Sequence, residues 1–523
     1  MATGRSMAKA AGFMMVASLI ARLLGLVRDI VIYSWFGQKY ITDAYNAAFS
    51  VPDFIYMLLV GGALSSAFIP VFSGYLARKQ DDEAWKVASI VFNYTVGLLL
   101  ILIFFAIIKT KSLIMLLAPE LPLTYIQLTV TLTRVMFIQT FFMAINGITL
   151  GILNSHGHFT TPAIGSILYN VGIIGIGIGM ASRWGIMAFS VGVVVGAMLN
   201  LSVQIPTLIK IGVKYTPSFD FRHPGFRQIM ILMVPVMLGL SVSQINLFVT
   251  QNLASGLAEG SISALRLAQR IMQVPIGIFG ISIAMALFPT MTSQAAQHEF
   301  SSFKRTFSLG LRAIFLITVP AGIGIIAIRQ PIIQLMFQHG QFTSSDTLAT
   351  ASALLFYSLG LFAYSAQQLL NRAFYSLSDT ITPVVIGAAS IGINILLSVI
   401  LVRFMQHQGL ALAYSLAGLF NLLALMVVLR WRLKSIDGYN IVKSLSIALG
   451  ASIIMFGATF LTAQYLQTVL AFSTKINELL VVVLAIGVGV GVYGGIIILF
   501  RLEETQMVMD VIKKRLPGLS LRG

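Results

Sequence analysis

Apolar runs of about twenty residues, separated by short polar or Pro/Gly-containing breaks, recur along almost the whole chain. Within hydrocarbon such a run can satisfy its own N–H and C=O groups only as a helix or a closed barrel, and twenty-residue runs without two-residue alternation select the helix. The chain therefore reads as an all-α polytopic membrane protein with about fourteen spans. They begin near residues 11, 46, 87, 127, 162, 185, 228, 263, 308, 349, 382, 408, 442 and 476. Composition agrees: 57% of residues are hydrophobic and only 10% charged, against roughly a quarter charged in soluble domains, and mean hydropathy is +0.91. No stretch between spans is long enough for a soluble domain.

The start, "MATGRSMAKAAGFMMVASL", has the basic and apolar regions of a signal peptide. No small-x-small cleavage site ends the run, however, and the apolar character continues to Gly37, so it is read as the first span. A net charge of +17 could suggest nucleic acid, but its distribution follows membrane orientation instead. With the N-terminus placed in the cytoplasm, roughly two thirds of the Lys and Arg fall on the inner side. Outer loops hold only Lys39, Lys109, Lys111, Arg183, Arg329, Arg403 and Lys475. Both termini are expected inside.

Three pairs of segments recur in order at nearly one offset. "VPDFIYMLLVGGALSSAFIPVFS" from Val51 resembles "VPIGIFGISIAMALFPTMTS" from Val274; "HFTTPAIG" aligns with "TITPVVIG" at Pro162 and Pro383; "GIMAFS" from Gly185 pairs with "GLALAYS" from Gly409. Six spans separate the copies, so the halves share one orientation, which is the parallel repeat of many secondary transporters. The expected organisation is an N-lobe (1–210, spans 1–6), a C-lobe (211–435, spans 7–12) and a C-terminal part (436–523, spans 13–14 and a cytoplasmic tail). Two equivalent bundles suit rocking around a central cavity.

Charge inside the spans gives that cavity its chemistry. "ASLIARLLGLVRDIVIYSWFG" carries Arg22, Arg28 and Asp29, and two lipid-facing arginines at depth would penalise insertion by roughly 5–7 kcal/mol. Either they snorkel to an interface, Asp29 neutralises one, or they line a wet cavity. The segment "SISALRLAQRIMQVPIGIFG" holds Arg266 and Arg270, about 40° apart around a helix, with Gln269 and Gln273 extending the stripe. Two cations in a span without an acid call for an external anion, and the guanidinium fork matches a phosphate or diphosphate. Asp43 in "YITDAYNAAF" reads equally as a charge complementing its own helix N-terminus and as a gating or substrate residue. Gly61 and Gly62, between Pro52 and Pro70, mark a bend usable as a gate or hinge.

Several chemistries lack their signatures. There is no cysteine for a disulfide or thiolate site, and the six histidines form no HExxH or paired metal spacing. No G-x-x-x-x-G-K-[ST] loop is present, and the acids do not cluster as a membrane transferase would need. The expectation is a transporter, not an enzyme, with no metal or cofactor.

At "RLLGLVRDIVIYSWFG", "TDAYNAAFSVP", "LASGLAEGSISALRLAQRIMQVPIGIFG", "FQHGQFT" and "FYSLSDTITP" the chain resembles the MurJ (MviN) lipid II flippase family of the multidrug/oligosaccharidyl-lipid/polysaccharide exporter superfamily. The resemblance covers essentially the whole chain. It implies that undecaprenyl-diphosphate-linked disaccharide pentapeptide moves from the cytoplasmic to the outer leaflet of the bacterial plasma membrane for peptidoglycan assembly. Membrane lipids and cell-wall synthesis proteins are the partners it implies, with no nucleic acid. Matched residue by residue, its functional positions fall on Arg22, Arg28, Asp43, Ser263 and Arg270, and the last two spans would form a groove for the polyprenyl tail. Tyr56 stands where some relatives have a second-span arginine, and Thr250 and Ser398 stand where a sodium site has acids, so the resemblance does not carry sodium coupling to this chain. The competing readings are a multidrug or other polysaccharide-lipid exporter of the same superfamily, and a membrane-bound glycosyltransferase or its structural partner. Cationic drugs would want acids rather than arginines in the cavity.

Overall fold

The computed structural model describes residues 4–61, 63–470 and 474–500; Gly62 and the basic C-terminal tail lie outside the described residues. Every regular element among them is helical. The chain forms two compact units, residues 1–263 with 339–342, and residues 264–338 with 343–523.

The first unit begins with α1 (Gly4–Phe36), followed by a broken second run: α2 (Tyr40–Ala48), α3 (Ser50–Leu59) and α4 (Ala63–Ala77). Helices α5 (Asp81–Leu117), α6 (Leu123–Ser155), α7 (Thr160–Trp184), α8 (Met187–Ser202), short α9 (Ile205–Lys210) and α10 (Pro224–Ser255) complete it. Phe68 and Phe72 of α4, Trp85 and Val91 of α5, Phe137 of α6, and Phe226 and Ile229 of α10 share one buried core. That core is why α10, expected at the start of a lobe beginning at 211, groups here with the first unit. The repeat-based lobe boundaries remain a division by internal likeness rather than by packing. Residues 211–223 strap onto α5, with Asn93 donating to the Ser218 carbonyl at 2.9 Å and the Tyr215 hydroxyl to Asn93 Oδ1 at 2.8 Å. At the N-terminus of α10, His223 meets Glu83 at 2.8 Å.

α7 and α8 pack backbone against backbone. A Cβ on Gly196 would stand 2.4 Å from the Tyr169 carbonyl oxygen, and one on Gly192 would stand 2.9 Å from that of Ile173, the close approach that small residues four apart permit. Because backbone cannot step aside cheaply, Gly196→Ala is expected to destabilise the protein by about 1–3 kcal/mol. Gly175→Ala, with open space around its Cβ, is expected to be neutral. Thermal unfolding of the two purified variants checks this: an unchanged midpoint for Gly196→Ala would contradict the packing.

In the second unit lie most of α11 (Ser261–Pro275), a five-residue π-helical turn (Ile276–Gly280), α12 (Ile281–Ala296), α13 (Phe300–Ala327) and α14 (Arg329–Phe337). After these come α15 (Ser344–Leu359), α16 (Leu361–Ser376), α17 (Ile381–Leu433), α18 (Gly438–Val469) and α19 (Lys475–Leu499). Thr343 caps α15 reciprocally with Asp346. Phe303, Phe307, Leu311 and Phe315, one stripe of α13 at four-residue spacing, meet Leu370 and Phe374 of α16 and Leu422, Leu425 and Leu429 of α17. The expected C-terminal spans are α18 and α19, and α18 packs along α13.

α17 is 53 residues long in one run, about 80 Å if straight and far beyond the roughly 30 Å of a hydrocarbon core. It doubles back. Gln406 takes φ 51, ψ −134, and Ser390 on one arm donates to the Ala417 carbonyl on the other at 2.8 Å. Ten helices among the described residues are long and apolar enough to cross a membrane, or eleven if α15 and α16, bent by 43°, form one span. The other runs of the expected fourteen correspond to α1, the broken α2–α4 series and the second arm of α17. Exposed apolar side chains on α5, among them Leu100, Ile101, Phe104 and Ile108, supply the outward surface that lipid requires.

The segments paired by sequence occupy corresponding local positions. Pro162 and Pro383 are each the third residue of their helix. Gly185 ends α7 with φ 57, and Gly409 lies three residues past the reversal at Gln406 within α17. Pro70 and Pro289 lie inside α4 and α12, each after a break, at Val60–Gly61 in the first copy and at the π turn in the second.

Candidate functional site

On α1 the paradox of two intramembrane arginines is halved. Arg28 Nη2 and Nε both donate to Asp29 Oδ1, at 3.0 and 3.1 Å, and both side chains are largely buried. A buried cation adjacent to its own counter-ion needs no external anion. Arg22 is different: it is exposed and makes no hydrogen bond or ion pair among the described residues. Of the pair, Arg22 is the one available to a ligand.

α2 contributes Asp43, which is 2% exposed. Its carboxylate closes the start of another helix. Oδ2 accepts from the Gly260 N–H at 2.8 Å, while Oδ1 accepts from the Ser263 N–H at 2.8 Å and from the Ser263 hydroxyl at 2.7 Å. These are the free donors of the first turn of α11, so Asp43 serves as its N-cap in trans and places a negative charge at the positive end of its dipole. The sequence allowed Asp43 a helix-terminal role on its own α2. The structure puts it in the first turn of α2 but spends its oxygens on α11. Gly260 makes this possible with φ +82, where a Cβ would meet the Gln38 carbonyl oxygen at 2.3 Å.

Around this carboxylate sit residues that sequence reasoning missed. Asn46 donates to Ser263 Oγ at 3.0 Å and to the Tyr33 hydroxyl at 2.9 Å, and the Tyr40 N–H donates to Glu259 Oε1 at 2.9 Å. The available signal was the polar set Thr42, Asp43 and Asn46 interrupting an apolar run. Asp43 and Ser263, far apart in sequence, are thus brought into contact. Arg22 and Arg28 make no hydrogen bond to either.

Beyond Ser263, α11 has two unlike faces. Ala264, Leu265, Leu267, Ala268, Ile271 and Met272 are buried, whereas Arg266 and Gln273 are exposed and Gln269 and Arg270 half-buried. The stripe read from spacing is a real polar face on an otherwise apolar helix. Gln269 is hydrogen-bonded to Tyr414 of α17, whose ring stacks on Tyr364 of α16 with centroids 4.5 Å apart. The π turn follows directly, a local fault that recurs at functional places in helices; Pro275 and Gly277 were its only forewarning.

The second run breaks after Leu59: the Val60 and Gly61 N–H groups both reach back to the Tyr56 carbonyl, at 2.8 and 2.9 Å. Gly61 therefore sits at a discontinuity between α3 and α4, while Gly62 lies outside the described residues. Among the described residues no group of three or more His, Cys, Asp or Glu is placed to hold a metal ion.

A sequence model of the family described as "Lipid II flippase MurJ" matches residues 32–498. A probable lipid II flippase MurJ from Buchnera aphidicola subsp. Acyrthosiphon pisum is 31% identical over 412 residues, covering 78% of this chain and 81% of the relative. One from Vibrio cholerae is 30% identical over 423 residues, with 77% and 79% covered. Among solved structures, a lipid II flippase MurJ in an inward closed conformation superposes with a TM-score of 0.79 at 28% identity, covering 93% of this chain and 98% of that one. An inward-facing multidrug resistance MATE family transporter superposes at 0.66 with 15% identity, over 81% and 99%, which is likeness of fold alone. The family model spans most of the chain and the curated relatives are matched over about four fifths of their length, so this chain belongs to the lipid II flippase MurJ family.

Proposed function

We propose that the protein moves a lipid-linked peptidoglycan precursor, lipid II, from the cytoplasmic to the outer leaflet of the bacterial inner membrane by alternating access. The observation that carries this reading is the polar face of α11. Arg266 and Arg270 flank Gln269 on a helix whose other face is apolar and buried, and such a face suits a diphosphate entering from an aqueous cavity. Arg22, exposed and without a partner among the described residues, joins them as a diphosphate ligand. Arg28 acts mainly through its pairing with Asp29. Asp43 and Ser263 form a gate whose cap breaks and re-forms during the cycle, and Gly61 is its hinge. Lys and Arg placement sets both termini in the cytoplasm. The two parallel lobes and the C-terminal spans keep the boundaries given by the repeat, α18 and α19 holding the polyprenyl tail. The work is transport without covalent chemistry, and cell-wall synthesis proteins take up the product.

Depleting the protein and measuring which leaflet holds the undecaprenyl-diphosphate-linked precursor tests this directly. The precursor should accumulate in the inner leaflet within a few generations. An unchanged leaflet distribution would reject the flippase reading.

A further inference from the structure

Within the second unit, a cavity of about 510 Å³ opens where the start of α14, the middle of α15 and the turn of α17 meet. Its polar lining is Arg329, Gln330, Ser352, His407 and Gln408, and no acid contributes to it. Arg329 spends one guanidinium nitrogen on the Ile326 carbonyl at 2.7 Å, which ties the head to the end of α13. No carboxylate reaches it among the described residues. Burial pulls that guanidinium below its usual range with nothing to offset the loss, as happens when a cation is desolvated without a counter-ion.

His407 is fixed in the same wall. Its Nε2 lies 3.1 Å from both the Ser352 hydroxyl and the Ala349 carbonyl, while Nδ1 is buried with no hydrogen-bond partner among the described residues. The carbonyl requires Nε2 to carry the proton, so Nδ1 is an acceptor and the neutral ring shapes the wall without donating to an anion. Its position follows from the reversal at Gln406, whose φ of 51 costs backbone energy that the hairpin must repay. Leu348 in the lining is 55% exposed, and Phe404 beside the turn is 80% exposed. An apolar rim thus borders a cationic and amide-rich interior.

We propose that this cavity is a second anion site, separate from the α11 face, binding one phosphate-class oxyanion through the free fork of Arg329 with the side-chain amides of Gln330 and Gln408 as neutral donors; the Ser352 hydroxyl is spent on the Ala349 carbonyl at 2.7 Å. Two amides beside a single guanidinium match the several oxygens of one phosphate group better than any cation or apolar ligand. The phosphate is free in solution or belongs to a lipid headgroup whose chains run over Leu348 and Phe404.

The test uses the full chain, which has no native cysteine. Leu348→Cys carries an environment-sensitive fluorophore in nanodiscs of phosphatidylcholine, titrated with inorganic phosphate, and in parallel in nanodiscs containing phosphatidylglycerol. A saturable response to phosphate assigns the free ion, and a response to phosphatidylglycerol assigns the headgroup; either supports the site. In Arg329→Gln the midpoint should weaken by roughly tenfold or more. Arg329→Lys should recover part of it, and Arg403→Gln, exposed and outside the lining, should match the parent. Because Arg329→Gln also loses the Ile326 tether, its fold is checked by thermal unfolding, and the Lys variant carries the comparison if it fails. No saturable response in either membrane, or equal responses with Gln and Arg at 329, overturns the proposal.

Discussion

Arg270→Ala is expected to abolish complementation of a depleted strain while the protein still reaches the membrane at its normal level. Arg270 is half-buried on the polar face of α11, one turn beyond Arg266, where a diphosphate would be held by paired N–H donors. Charge-assisted hydrogen bonds of this type contribute about 1.5–3 kcal/mol each, so losing a bidentate pair weakens binding on the order of a hundredfold or more. Arg270→Lys keeps the charge but replaces the fork with a point donor, so partial activity is expected. Arg22→Ala is also expected to lose complementation at a normal protein level, since Arg22 makes no hydrogen bond or ion pair among the described residues. Arg28→Ala should differ in kind. It leaves Asp29 buried without its cation, a loss that acts on folding, so the protein level should fall and recover when Asp29→Ala is added. Quantitative immunoblotting beside growth separates the two behaviours, and full growth with Arg270→Ala would remove the α11 face from the mechanism.

Much of this architecture was readable from residue pattern, because a bilayer leaves the backbone so few options. The apolar runs located the helices, the four-residue spacing of Arg266 and Arg270 located the polar face, and Gly61 located a break. Arg28 and Asp29, adjacent in sequence, could be named as a possible pair for the same reason: the information was local. What stayed hidden was set by contacts across the chain. Nothing near Asp43 announces that its oxygens belong to residues 260 and 263. Nor does the start of the seventh run show that Phe226 and Ile229 join the core of α4 and α5, which moves α10 into the first unit. Gln406 illustrates a third kind of gap. Two spans were expected on either side of it, but the left-handed residue at the reversal is neither Gly nor Asn, and local propensity does not select it.

Asp43→Ala is expected to lose transport as completely as Arg270→Ala, through a different physical cause. The side chain touches no other charge in its cap; it supplies acceptors to two backbone N–H groups and one hydroxyl at the beginning of α11. Removing it strands those buried donors, at about 1–3 kcal/mol for each, and withdraws the negative charge from the helix N-terminus. Asp43→Asn should be intermediate, since its carbonyl can still accept from Ser263 but its amide turns a donor toward the N–H of Gly260. Ser263→Ala should be mildest, because the Ser263 N–H keeps its bond to Oδ1 and only the hydroxyl contacts with Asp43, Thr42 and Asn46 disappear. Hydrogen exchange of the peptide covering 259–265 provides the structural reading, and complementation provides the functional one. If the carboxylate is the cap, exchange should rise in the order Ser263→Ala, Asp43→Asn, Asp43→Ala. Equal protection in Asp43→Ala and the parent would remove the cap. If the cap is also the gate, it must open in every cycle, so the same amides should exchange faster in the parent when precursor is present than when it is absent. A cap that opens no faster with substrate, in a protein that still transports, would leave Asp43 a purely structural residue and place the gate elsewhere.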